Sequence, residues 1–165
     1  MRIPSMRSLA LLSAIAAGLA LGLAEAAEHW GGLVPCALCL VERWPYRVAI
    51  ALSLVAFVVP RQIARWLLAL VVLTMIVGAG FGFVHVGVEQ QLWPSPLPEC
   101  AAPHLGTGSI AERLAQMPAR PDKPCDSPTF LVPGLPLSMA AMDMLYAAGF
   151  ALVLAIALWR ERRAA

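Results

Sequence analysis

Cys36 and Cys39 form a C-x-x-C pair in the run Pro35-Cys-Ala-Leu-Cys-Leu-Val-Glu-Arg-Trp44, at the mouth of a long apolar stretch, and Cys100 and Cys125 stand in a polar segment. A dithiol at the edge of a membrane can carry electrons between other thiols and an acceptor dissolved in lipid. Pro35 suits a first helical position, which would put both cysteines in the opening turn of a helix, where unpaired amides and the dipole stabilise a thiolate. Arg43 follows Cys39 by four residues on the same helical face, where a cation can hold a thiolate or bind a carbonyl oxygen of an acceptor. The alternative for Arg43 and Arg47 is snorkelling to the interface beside Glu42.

Other cysteine chemistries fit less well. Three pairings are possible in principle, but C-x-x-C neighbours are close enough to pair with each other, leaving Cys100 with Cys125. Two inert staples would be a weak use of the first pair, because a two-residue ring constrains little chain. Zinc usually needs paired ligands at each end, and Cys100 and Cys125 lack near neighbours, so no metal site is expected. Covalent haem needs a histidine after the second cysteine, where this chain has Leu40.

The elements that position these residues are membrane helices. Of the 165 residues 60% are hydrophobic and 13% charged, against about a quarter charged in an ordinary soluble domain. The net charge of +2 comes without a basic stripe, which excludes nucleic-acid binding. Roughly 20 helical residues cross about 30 Å of hydrocarbon, and four stretches qualify: about 9–27, 37–59, 66–88 and 138–159. The spacing predicts an all-α membrane protein, a single domain of four transmembrane helices. Its loops are about 28–36 and a long one of about 89–137, rich in proline.

Arginines favour the cytoplasmic side of short loops. Arg2 and Arg7, then Arg61 and Arg65, then Arg160, Arg162 and Arg163 fall on one side of four spans. Both termini are then cytoplasmic, and the cysteines face an extracytoplasmic compartment that permits disulfides. A competing reading of the N-terminus is a secretory signal ending at Leu23-Ala-Glu-Ala-Ala27; its removal would leave three spans with the same orientation. In the long loop, Ser109-Ile-Ala-Glu112 reads as a capping box opening a short amphipathic helix, with Ile110, Leu114 and Met117 on one face before Pro118. That helix could lie on the membrane or stand in water. Trp93 sits where interfacial aromatics collect.

Three motifs in order carry a family resemblance: Pro-Cys-x-Leu-Cys-x-x-Glu-Arg at 35–43, His85-Val-Gly-Val-Glu89 leading to Trp93-Pro94 and Cys100, and Cys125 followed by the 130–138 segment entering the last span. Together they resemble the bacterial disulfide bond formation protein DsbB family, over about residues 9–159. The resemblance implies a four-helix bundle of the bacterial inner membrane that acts as a protein-dithiol:quinone oxidoreductase. It would reoxidise a periplasmic thioredoxin-fold dithiol oxidase, DsbA-like, and pass the electrons to ubiquinone or menaquinone. By match of position, Cys100 would be attacked by the partner's thiolate, with Cys125 as its loop mate. Cys36 would exchange with the loop cysteines, Cys39 would meet the quinone ring, and Arg43 would assist the quinone. Family members place a histidine where counting back from Cys100 gives Gly87; His85, two residues earlier, is the tentative quinone neighbour here. Asp143, about two turns inside the last span, receives no catalytic role. Two rivals are a reductive relative similar to the vitamin K epoxide reductase family, whose C-x-x-C opens the last helix of the bundle, and a non-enzymatic membrane anchor stapled by its cysteines.

Overall fold

A computed structural model describes residues 5–100, 109–115, 123–131 and 134–164. All of the regular structure in them is helical. Four long helices, α1 (Met6–His29), α2 (Ala37–Val58), α3 (Arg61–Glu89) and α5 (Met139–Ala164), are accompanied by a 3-10 turn at Pro98–Cys100 and the short α4 (Ile110–Ala115). Three of the four long ones, α1, α3 and α5, hold a stretch long and apolar enough to cross a membrane. The fourth, α2, carries Glu42, Arg43, Pro45 and Arg47 in its first half.

The helices run beyond the apolar stretches that mark them in the sequence. Pro60 caps α3 directly, so Arg61 and Arg65 lie on its first turns and only Val59 and Pro60 separate it from α2. Likewise Arg160, Arg162 and Arg163 continue α5. Near that end Glu161, almost fully buried, accepts from Arg61 and, at 3.1 Å, from Arg65, tying α5 to α3. The stretch weighed as a signal peptide is packed as α1, its N-terminus capped by Ser5.

The main pairings are α1 with α2, α2 with α3, and α3 with α5, while α1 and α5 touch little. The core is an apolar layer in which Leu68, Val71 and Met75 of α3 meet Tyr46 and Ala49 of α2 and Ala147, Ala151 and Leu154 of α5. Small residues set the separations. A Cβ on Gly78 would stand 3.1 Å from the Pro45 ring, and one on Gly82 only 2.9 Å from the backbone of Met144. Glycine at those two places lets α3 approach α2 and α5 closely.

The end of α3 turns the chain back on itself. Gln91 takes a left-handed conformation (φ 58°) and the Leu92 amide bonds back to the Gly87 carbonyl, which stops the helix. Trp93 then folds onto α3, its indole N–H donating to the Val84 carbonyl at 3.0 Å and its ring covering Gly87. In the loop, Ser109 and Glu112 form the expected capping box, and the Ser109 amide and hydroxyl hold the exposed Glu112 carboxyl below the usual carboxylate range. Of the apolar face expected on α4, Ile110 is exposed; the Leu114 side chain, Met117 and Pro118 lie outside the described residues.

Candidate functional site

The four cysteines meet at the end of the bundle where α2 begins. Pro35 precedes the helix, and Cys36, with extended backbone, is its N-cap: the Cys39 amide donates to the Cys36 sulfur at 3.3 Å. The helix terminus thus serves Cys36 directly, and Cys39 stands one turn inside. Both are thiols, with their Sγ atoms 2.9 Å apart. Contact with the Cys39 thiol, then the Cys39 amide, draws the Cys36 thiol below its ordinary value although burial pushes it up. Cys100 and Cys125 are joined in a disulfide. That disulfide is buried in one small apolar cluster with Cys36, Leu38 and Val88, edged by Trp93 and Leu97. Trp93, read as an interfacial aromatic in the sequence, therefore forms part of the packing around the cysteines.

Behind Cys36 lies a polar chain that the sequence did not reveal. His85, on α3 and 2% exposed, turns Nε2 toward the Cys36 sulfur at 3.5 Å and Nδ1 toward Glu42 Oε1 at 2.8 Å. Glu42 is itself buried at 6% exposure. A carboxylate that fixes one imidazole nitrogen leaves the other directed at the thiol, the arrangement used where a sulfur must gain or lose a proton. Glu42 stands three residues from Cys39, so its helical face was readable; its partner on another helix was not. Gly87, where the family resemblance would place a histidine, cannot carry a side chain, because its Cβ would fall 1.8 Å from the Trp93 ring. The sulfurs of Cys36 and Cys39 and a His85 ring nitrogen lie within 4.8 Å of one another, donors that could also close on a soft metal ion.

On the other side of Cys39 is a cleft between α1, α2 and α5. Its lining includes Cys39, Arg43, Tyr46 and Asp143 among apolar residues such as Leu21 and Val34, and His85 is not part of it. Arg43, 7% exposed, is held by two α1 carboxylates, Glu28 Oε2 at 2.7 Å and Glu25 Oε1 at 3.1 Å. Both ion pairs use Nη1 of a guanidinium with five N–H donors, so the rest of the fork is not committed to them. Arg47 differs: its side chain is 46% exposed, reaches Glu25 at 3.7 Å and lies over the Trp44 ring. Tyr46 donates its hydroxyl to Asp143 Oδ1 at 2.6 Å. Cys39, Glu42, Arg43 and Tyr46 succeed one another at intervals of one helical turn or less, so a single face of α2 serves both sides of the site.

An all-helical chain with membrane-length helices, a dithiol and a loop disulfide packed together defines a thiol-disulfide protein of the membrane. The family model described as disulfide bond formation protein DsbB matches residues 6–157, nearly the whole chain, and the chain belongs to that family. It is a membrane disulfide-formation protein. It is also 28% identical over 122 residues to an uncharacterized protein of Rickettsia prowazekii (strain Madrid E), covering 73% of this chain and 70% of that one. No solved structure matches it.

Proposed function

We propose that this protein is a dithiol:quinone oxidoreductase that spans the bacterial inner membrane with α1, α2, α3 and α5, reoxidises a periplasmic DsbA-like oxidase and delivers the electrons to membrane quinone. The observation that carries this reading is the position of Cys39, packed on Cys36 toward the loop disulfide and open to the cleft on its other side. Cys100 borders a surface groove with Trp93, Leu97, Pro98 and Asp126, which suits attack there by a partner's thiolate. Cys125 leaves as a thiolate, and the partner's second thiol attacks the mixed disulfide, releasing the oxidised partner and a reduced Cys100–Cys125 pair. Exchange with a Cys36–Cys39 disulfide in the same apolar cluster re-forms the loop disulfide and leaves Cys36 and Cys39 as the two thiols. Cys39 closes on Cys36 as the electron pair leaves for the acceptor.

A quinone would supply the two-electron sink, and the groups lining the cleft suit its carbonyl oxygens. Arg43 offers donors to a carbonyl oxygen, and Asp143 Oδ2 is a buried oxygen with no partner among the described residues. One turn further along α1 and α5, an apolar groove between Leu12, Ala16, Tyr146 and Phe150 suits an isoprenoid tail. His85 then acts on Cys36 from behind and Arg43 on the acceptor from in front.

The test is to mix purified protein with a reduced thioredoxin-fold oxidase and a soluble quinone and measure quinone reduction optically. Turnover is expected, and it should vanish in Cys36→Ser and Cys39→Ser proteins that still fold. Wild-type protein that leaves both substrates unchanged would refute the reading.

A further inference from the structure

We propose that Asp143 is the acid of the quinone cleft, holding a proton on Oδ2 and giving it to a quinone carbonyl oxygen as electrons leave the Cys39 side. The assignment rests on the quinone reading above and deepens it. Asp143 lies on α5 one turn past Met139, in a span where an ionised carboxyl is costly and an acidic residue is by default a candidate for ion or proton traffic. Its Oδ1 is occupied by the Tyr46 hydroxyl at 2.6 Å, and Tyr46 is itself 3% exposed, so the carboxyl is held in one orientation. Its Oδ2 is buried and unpartnered among the described residues, a costly state for an anionic oxygen. A proton at Oδ2 removes that cost and provides an O–H donor in the wall of the cleft that Cys39 also lines.

The neighbouring groups are poorly suited to the task. Arg43 cannot release a proton, and Glu28 Oε2, though it too lacks a hydrogen-bond partner among the described residues, is the oxygen that lies 2.7 Å from the Arg43 guanidinium. Glu42 is bound to His85, and the Tyr46 hydrogen is directed at Asp143 itself. The chemistry balances with Asp143 as a shuttle. Closing the Cys36–Cys39 bond breaks two S–H bonds and releases two electrons and two protons; reduction of a quinone to the quinol consumes two of each. Asp143 forms one of the new O–H bonds and recovers its proton from those the thiols release. Tyr46, whose hydroxyl hydrogen is directed at the carboxyl, is a positioning residue.

The experiment compares wild type, Asp143→Asn, Asp143→Glu and Tyr46→Phe in detergent. Asn keeps the shape and the acceptor for Tyr46 but has no acidic proton. General acid catalysis is worth about 10²- to 10⁴-fold, so kcat for a soluble quinone should fall at least about 100-fold in Asp143→Asn with little change in KM, and recover in part in Asp143→Glu. Formation of the mixed disulfide between Cys100 and the partner should be unaffected. Infrared spectra should show a protonated-carboxyl C=O band that shifts when quinone is added to wild type and is missing from Asp143→Asn. Tyr46→Phe should keep the band, at a shifted position, with a smaller loss in kcat. A folded Asp143→Asn protein that matches wild type within twofold in kcat, or that retains the quinone-sensitive band, overturns the assignment alone. Wild-type protein unable to reduce quinone overturns the functional reading, and this assignment with it.

Discussion

Replacing Glu42 by Gln isolates what the buried carboxylate does for Cys36. In the structure Glu42 Oε1 lies 2.8 Å from His85 Nδ1, and His85 Nε2 lies 3.5 Å from the Cys36 sulfur. If the imidazole takes the thiol proton it becomes a cation, and the carboxylate beside it stabilises that cation. Gln preserves the volume and one acceptor oxygen but not the charge. A charge-assisted hydrogen bond is worth about 1.5 to 3 kcal/mol and a neutral one about 0.5 to 1.5, so the substitution removes about 1 to 1.5 kcal/mol, or roughly five- to tenfold in rate. The assay is alkylation of Cys36 in the reduced protein, localised by mass spectrometry and timed at neutral pH. Glu42→Gln should react five to ten times more slowly, and His85→Asn at least as slowly. Because Glu42 acts through His85, adding Glu42→Gln to His85→Asn should cost nothing further. A Glu42→Gln rate within twofold of wild type, or losses that simply multiply in the double variant, would refute the chain from carboxylate to sulfur.

Three further outcomes are expected. Cys125→Ser leaves Cys100 as a thiol, so with the oxidised partner its thiolate should attack the partner's disulfide and hold it as a mixed disulfide visible on a non-reducing gel; no adduct on Cys100, with Cys100→Ser forming one through Cys125 instead, would reverse the loop roles. Arg43→Met should raise the KM for quinone roughly tenfold, matching a lost charge-assisted bond, whereas Arg47→Met, with its half-exposed side chain over Trp44, should change it little. Equal effects in the two variants would return Arg43 to a role at the interface. Gly82→Ala should lower stability in detergent by about 1 to 3 kcal/mol, because its Cβ meets the Met144 backbone at 2.9 Å, while Gly80→Ala, with open space around it, should leave stability unchanged or higher; similar melting of the two would contradict the close approach of α3 and α5.

How much the sequence discloses depends on how far each pattern reaches along the chain. The C-x-x-C pair and Arg43 were legible because their relation is local: two cysteines one turn apart, and a cation one turn further on the same face. The helix ends were less so. A hydropathy reading stops at the first charge, whereas α3 begins directly after its cap, Pro60, and therefore includes Arg61 and Arg65. His85 was visible as an ionisable group in an apolar span, but its direction was not. The resemblance led toward the quinone, and packing turns the ring to Cys36 and Glu42, while Trp93 closes over Gly87, where the family pattern would have put it.

The acids were the harder case, and for a common reason. Glu25, Glu28, Glu42 and Asp143 each sit in or beside a stretch otherwise fit for hydrocarbon, and each one alone reads as a tolerated charge near an interface. Their meaning is collective. Glu25 and Glu28 converge from α1 on Arg43, Glu42 reaches across to α3, and Asp143 comes from α5 to Tyr46. No periodicity within one helix encodes those meetings, because they depend on the relative height and rotation of helices separated by up to 97 positions in the chain. The sequence carries a coarser clue. Cys39, Glu42, Arg43 and Tyr46 share one face of α2, and a span that commits a thiol, an acid, a cation and a phenol to one face must meet partners there, since lipid offers none. An acidic residue at a matching depth in α1, α3 or α5 is then a candidate partner before any coordinates are known, and by that criterion Asp143 belongs to the site.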